Sequence, residues 1–336
     1  MEEGEKVKRI IITALLVLSA AFNLSSCRNS ENYKGKTDSI IIGTAPLESS
    51  ALIYIAENRG FFADQGLEVA IKDYETGAAS LNGLLGGEIN IAVPAEYALV
   101  GKALQKEKAR AVASIAKAQY FYLVGRKDRG IQKIDDLRGK KIGVVRKTIA
   151  EFYLGRFLEL SGLDARQVSP VNIDIAKSRD LIMGADIDAI ISRPPHISPI
   201  EKSLGANAVT WPAQSDQALY AIMVGGENWI KKHPEIIKRL LNSLLQAEKY
   251  LIRNPAEAKS IVQKRLNFDD SYMTAVWSRN QFALSLEQSL IIAMEDQARW
   301  MIKNNLTTET VIPDFLDCVY IDGLREVKSE AVNIIR

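Results

Sequence analysis

Ser39-Ile40-Ile41-Ile42-Gly43, then Thr44-Ala45-Pro46-Leu47-Glu48-Ser49-Ser50, then Ala51-Leu52-Ile53-Tyr54-Ile55-Ala56-Glu57-Asn58-Arg59-Gly60, is the stretch from which the rest can be read. An unbroken apolar triplet closed by glycine suits a strand buried on both faces. Ser49 or Ser50 can cap a helix, and Gly60 can end it in a left-handed turn. A strand, a loop and a helix in that order form the repeating unit of an α/β protein.

Outward from this unit the alternation continues. Residues 67–71 alternate as a second strand, Gly77 opens a short helix closed by Gly86 and Gly87, and residues 89–93 form a third strand stopped by Pro94. A helix over 95–105 and strands over 111–116 and 120–125 follow. Residues 126–133 (RKDRGIQK) are charged and contain a glycine, as expected of a crossing between lobes. A second series then runs: strand 141–145, helix 148–160, strand 171–173, helix 177–183, strand 189–192. Thr148 and Glu151 have the spacing of a capping box. Residues 217–224 read as a return strand, and 228–305 are almost wholly helical in spacing. The expectation is a two-lobed α/β protein, each lobe a mixed sheet flanked by helices, with a helical C-terminal segment. Lobe 1 comprises 38–126 with 215–336, and lobe 2 comprises 127–214. Two crossings make a hinge, and a hinge makes a cleft that can close on a ligand.

The amino-terminal segment has another character. Lys6, Lys8 and Arg9 precede an apolar run over 10–22, and Leu24-Ser25-Ser26-Cys27 follows it. A basic flank, a short apolar stretch and small residues describe an export segment. The run is shorter than the ~20 apolar residues a spanning helix needs. Ending in cysteine, it resembles the lipobox of bacterial lipoproteins, which implies a signal peptide over 1–26 and lipidation at Cys27. An ordinary secretory peptide with an incidental cysteine is the plainer alternative. Residues 27–37 are polar and suit a tether. Glu2, Glu3 and Glu5 dilute the basic flank, so translation is expected to start at Val7 if an alternative start codon is used.

Composition narrows the function classes. The formal net charge is +2 with no long basic tract, which gives no electrostatic reason to expect nucleic acid. Cys318 is the one cysteine besides Cys27, so no internal disulfide can staple the mature chain. The two histidines, His196 and His233, form no metal-ligand spacing with cysteine. Nucleophile-elbow, dinucleotide and phosphate-loop motifs are missing. No catalytic residue, metal or cofactor is therefore expected.

Four segments carry a family resemblance: Gly60-Phe61-Phe62 with Gly66-Leu67-Glu68-Val69; Gly87-Glu88-Ile89-Asn90-Ile91-Ala92; Asp136-Leu137-Arg138-Gly139-Lys140-Lys141-Ile142-Gly143-Val144; and Val311-Ile312-Pro313-Asp314-Phe315. In this order and spacing the chain resembles the nitrate/sulfonate/taurine-type substrate-binding proteins of ABC importers, over roughly residues 39–324. The resemblance implies a type II periplasmic-binding-protein fold in lipoprotein form, outside the cytoplasm. It further implies a small-molecule solute, a permease with its ATPase as partners, and a monomer. Asn90 stands where that family usually has aspartate, and a local change of turn is expected there. Enzymes of thiamine-pyrimidine and menaquinone synthesis share the fold, so a same-fold enzyme or a tethered sensory domain is the alternative from another class.

Ligands of open α/β sheets lie beyond the carboxyl ends of strands. In lobe 1 that rule selects Leu47, Glu48 and Ser49, then Gly77, Ala78 and Ala79, then Pro94, Ala95 and Glu96. In lobe 2 it selects Arg146, Lys147 and Thr148, then Ser192, Arg193 and His196. Helix starts in these loops favour an anion, but each contributes only about 0.3–1 kcal/mol when exposed. A micromolar ligand needs about −8 kcal/mol, so a charged hydrogen bond has to be added. Arg146 and Arg193 are the candidate donors, because a guanidinium fork can hold an oxyanion with two bonds. Arg146 and Lys147 can equally be solvated, His196 a turn residue, and Glu48 and Glu96 helix-start carboxylates or receivers of an amine. Tyr97, Tyr120 and Trp211 can line a pocket or belong to the core. The expected solute is an alkanesulfonate- or taurine-like oxyanion. The alternative is a heteroaromatic solute such as a thiamine-precursor pyrimidine, held by stacking.

Overall fold

Ile40 and Ile42 are buried because their strand lies inside a sheet with neighbours on both sides. The computed structural model describes residues 35–335. The expected signal peptide, Cys27 and most of the tether lie outside the described residues. Eleven strands are described. They are β1 (Asp38–Thr44), β2 (Leu67–Asp73), β3 (Ile91–Val93), β4 (Ala109–Ala118), β5 (Tyr122–Arg126), β6 (Lys141–Val144), β7 (Ser169–Asn172), β8 (Ala189–Ser192), β9 (Ala208–Pro212), β10 (Leu219–Gly226) and β11 (Asn280–Gln281).

They form two sheets, in orders β11-β4-β10-β3-β1-β2 and β7-β6-β8-β5-β9. In the first, β1 pairs in parallel with β2 (Ile40 opposite Val69) and with β3 (Ile42 opposite Ile91), while β10 runs antiparallel to β3 and β4. In the second, β6 pairs in parallel with β7 and β8, and β5 lies antiparallel between β8 and β9. Mixed sheets of this kind result when parallel βαβ units are closed by returning antiparallel strands. Helices flank both sheets, so the expected two-sheet α/β architecture is present.

Local signals act as their chemistry requires. Gly60 ends the helix Ala51–Arg59 at φ +72°, and Gly66 turns into β2 at φ +65°, where a side chain would be strained. The Thr148 hydroxyl caps the helix Ile149–Leu160 by accepting from the Ala150 amide. Glu151 accepts from the Lys147 amide rather than from the cap residue, a capping box displaced by one position. At position 90 the asparagine stitches strands together: its Oδ1 accepts from the Ile41 amide, and its own amide donates to the Ile41 carbonyl. An aspartate would offer the same acceptor oxygen, so the departure from the family pattern leaves the hydrogen bond intact.

One boundary differs from the sequence expectation. The sequence pattern places the strand near 120–125 in lobe 1 with a crossing over 126–133, but β5 belongs to the second sheet. The chain therefore changes sheet at residues 119–121 and returns at 213–218. The charged 126–133 segment is instead a pair of turns on the second sheet: Arg126 pairs with Asp128, and Arg129 with Asp188. Charge there marks a solvated turn, while each true crossing keeps a buried pair of residues, Tyr120 and Phe121 in one and Ala213 and Gln214 in the other. Tyr120 and Phe121 are among the core residues, and Gln214 between them is only 4% exposed. The Gln214 carboxamide accepts from the Tyr120 and Phe121 amides (2.6 and 2.9 Å) and donates to the Ala118 and Gln217 carbonyls (both 3.0 Å). One side chain thus fastens both crossings.

The sheets also meet through a helix pair. Gly155 of helix Ile149–Leu160 lies against Trp300 of helix Gln288–Lys303, where an added Cβ would come within 2.6 Å of the indole nitrogen. Phe152 packs edge-on to Trp300 at 5.6 Å. Ion pairs Arg156–Asp296 and Lys303–Glu159 flank this packing.

Candidate functional site

β1 turns outward to β2 on one side and β3 on the other, and β6 does the same between β7 and β8. At such switch points the following loops diverge and leave a crevice beyond the strand ends. The crevices of both sheets open into one cavity of about 700 Å³, within the ~300–1,000 Å³ range of small-molecule sites.

The first sheet contributes Thr44 and Ala45 after β1, then Leu47 and Ser49. It also contributes Gly77 and Ala78, at the start of helix Gly77–Leu85, and Pro94 and Ala95, before helix Glu96–Leu104. The second contributes Lys147, Thr148 and Arg193. All of these except Thr44 and Ala45 are selected by the strand-end rule applied to the sequence. Among the described residues, Lys147 and Arg193 are the charged groups of this lining, and no carboxylate belongs to it.

Arg193 is the better-positioned cation. Its guanidinium carbon lies 5.4 Å from the centre of the Tyr120 ring, a cation–π distance. Burial works against its charge, but Tyr120, Glu48 and Tyr272 outweigh that and hold its pKa above the ordinary arginine value. Tyr120 in turn is pushed up to about 12 by burial, with Arg193 opposing the shift. Glu48 is fully buried; its Oε2 accepts from the Tyr272 hydroxyl at 2.7 Å, and its Oε1 is buried without a partner. Arg193 reaches from the second sheet toward this carboxylate of the first.

Other sequence candidates lie elsewhere. Arg146, expected as a ligand donor, does not line the cavity: its Nε pairs with Glu151 Oε1 at 2.9 Å, the nearby carboxylate of the following helix. Glu48 is buried against Tyr272 and is not on the cavity wall. Glu96 is fully buried and accepts from the Tyr220 amide (2.9 Å) and from Gln297 (2.8 Å), a helix-start carboxylate joining β10 to helix Gln288–Lys303. Burial raises its pKa to about 7. Ala79 has its amide on the Thr76 hydroxyl, and Ser192 is buried in β8. His196 sits at the start of helix Ile197–Leu204, outside the lining, its pKa lowered by burial and then by Arg193. Tyr97 and Tyr120 line the cavity, whereas Trp211 is on β9 away from it.

The strand-end rule misses the distal wall. Ala98, Gly101 and Gln105 extend the lining along helix Glu96–Leu104, and Met301, Asn305 and Leu306 face them. The spacing 95, 98, 101, 105 is one helical face, a signal that a sequence reading can find. Nothing local marks 301–306, which are brought in by the packing of helix Gln288–Lys303 on helix Glu96–Leu104.

A cleft between two mixed sheets joined by two crossings defines the periplasmic-binding-protein class of fold. The NMT1/THI5-like family matches residues 48–258, and the chain belongs to that family. A Brucella abortus protein, named provisionally as a binding protein, is 25% identical over 226 residues, covering 66% of this chain and 69% of the relative. The formylaminopyrimidine-binding protein of Halalkalibacterium halodurans is 20% identical over 263 residues, covering 75% and 79%. Among solved structures, the periplasmic aliphatic sulphonate binding protein of Escherichia coli superposes with a TM-score of 0.71 at 14% identity, covering 85% of this chain and 98% of that one. The desulfurization enzyme DSZB shares the fold at a TM-score of 0.64 and 14% identity, covering 87% and 99%. The fold therefore serves binding proteins and at least one enzyme.

Proposed function

We propose that this chain is an exported solute-binding protein of an ABC importer, lipid-anchored through Cys27, which captures a small oxyanion-bearing solute between its two sheets and delivers it to a membrane permease. One observation carries the ligand class: among the described residues, the cavity lining holds Lys147 and Arg193 and no acidic side chain. A carboxylate, sulfonate or similar group entering there meets two cations and the first-turn amides of helix Gly77–Leu85, and closure removes competing water. Binding favours the closed form to the extent that the solute touches both sheets at once.

Isothermal titration of the purified domain with sulfonates, taurine and nitrate tests this reading. Arg193→Ala is expected to weaken an anionic ligand at least tenfold, about 1.4 kcal/mol. Arg146→Ala, whose side chain is taken by Glu151, is expected to change affinity less than about twofold. Unchanged affinity in Arg193→Ala would remove the oxyanion reading. Palmitate labelling that persists in Cys27→Ser would remove the anchor.

A second reading has its own support. Tyr120 and Phe121 are adjacent on the cavity wall with ring centres 5.9 Å apart, and one relative is named for binding a formylaminopyrimidine. A neutral pyrimidine held by stacking would bind equally well to wild type and to Arg193→Ala. A same-fold enzyme would consume its ligand, and a sensory domain would lack a permease partner.

A further inference from the structure

Helix interiors penalise glycine relative to alanine, so an interior glycine usually answers a close approach. Gly83 does: an added Cβ would lie 2.3 Å from the Tyr74 hydroxyl. Gly101 does not. It lies within helix Glu96–Leu104, its φ is not in the left-handed region, and an added Cβ would meet nothing within 4 Å. Packing and backbone geometry leave its identity unexplained.

Its position supplies a reason. Ala95, Ala98, Gly101 and Gln105 form a single stripe on the cavity wall, small until its last residue. About ten residues at 1.5 Å rise give the stripe a length of about 15 Å. Its near end, at Ala95, adjoins Gly77 and Pro94, since a Cβ on Gly77 would lie 2.8 Å from the Pro94 Cα. Toward its far end the lining adds Met301, Asn305 and Leu306, from the end of the helix that packs on this one. A two-carbon sulfonate is far shorter than this groove and would leave its apolar half filled with water, whereas burying apolar surface there is favourable.

We infer that Gly101 sets ligand length: the cavity takes an elongated amphipathic anion whose charged head lies at the Gly77–Arg193 end and whose apolar body runs along the 95–98–101 stripe to Met301 and Leu306. The inference rests on the oxyanion reading above and adds the class of body attached to the head. Gly101 is a specificity-determining residue because any side chain there projects into the space the body occupies.

Calorimetric titration of n-alkanesulfonates from ethane- to octanesulfonate, on wild type, Gly101→Leu and Ala98→Leu, tests it. In wild type, affinity rises with each added methylene, by up to about fourfold. In Gly101→Leu, butanesulfonate binds within about twofold of wild type, while octanesulfonate weakens at least about tenfold. Ala98→Leu shortens the groove in the same way and serves if the first variant folds poorly, as judged by circular dichroism. Sulfonate binding that is independent of chain length, or equal octanesulfonate affinity in a folded leucine variant, overturns the length assignment and leaves the oxyanion reading standing. Absence of binding to every member of the series overturns both.

Discussion

Glu96 offers a test of the fold through its protonation. The carboxyl is fully buried between β10 and helix Gln288–Lys303, and burial raises its pKa from 4.5 to about 7. Below the unfolded value both states hold the proton, and the contribution of Glu96 to stability is at its maximum. As pH rises from 4.5, the unfolded chain releases the proton first, and stability falls until the folded protein releases it near pH 7. At about 1.36 kcal/mol per unit, the shift amounts to a loss of about 3 kcal/mol across that window. Carboxylates held below their ordinary range act in the opposite sense, among them Glu227 beside Lys231 and Asp136 on the amides of Gln132 and Lys133. Their stabilisation is lost as pH falls, so wild type alone gives a mixed profile. Glu96→Gln removes only the buried proton. The Gln297 carbonyl oxygen is buried without a partner, so turning that amide over gives the new carboxamide an acceptor. Urea denaturation at intervals from about pH 4.5 to 8 is expected to give similar stabilities at the acid end. At about pH 8, Glu96→Gln should be the more stable by about 3 kcal/mol. Parallel profiles across the range would refute the buried-carboxyl account.

Further outcomes follow from other parts of the fold. Gly101→Ala and Gly155→Ala are the same change in two helix interiors, with opposite expected signs. The first gains up to about 1 kcal/mol of helix propensity and displaces no neighbouring atom. The second drives a Cβ against Trp300 and costs about 1–3 kcal/mol of overpacking; thermal melts of equal sign in both would defeat the steric argument. Gln214→Leu strands the buried amides of Tyr120 and Phe121 and should cost about 2–4 kcal/mol. Hydrogen exchange at those two amides should accelerate, and unchanged exchange would mean that Gln214 does not hold the crossings. Arg239→Met breaks a pair with Asp38 that is buried on the arginine side, and removes one of the two donors to the Gly66 carbonyl, the Asp38 amide being the other. A destabilisation of about 3 kcal/mol is expected from denaturation curves, and a change below about 1 kcal/mol would contradict it.

The amino-acid sequence alone determines whatever depends on neighbours along the chain. Apolar triplets place the strands, Gly60 and Thr148 mark helix ends, and the loops after strands point to Ser49, Gly77, Pro94, Lys147 and Arg193, all found at the cavity. Tertiary structure decides what depends on pairing between distant segments. A strand pattern does not say which sheet it joins, so sequence spacing puts β5 in the wrong lobe and makes a charged turn look like the crossing. Two arginines in equivalent loops look alike in sequence. Glu151, a few residues on, captures Arg146, while Tyr120 and the Glu48–Tyr272 pair, from elsewhere in the chain, hold Arg193 at the cleft. The distal wall at 301–306 carries no local mark at all, because a cavity is bounded by whichever surfaces packing brings opposite one another. Caps and strand starts are written in short-range chemistry; the length and charge of the cleft arise only when separate helices and sheets meet.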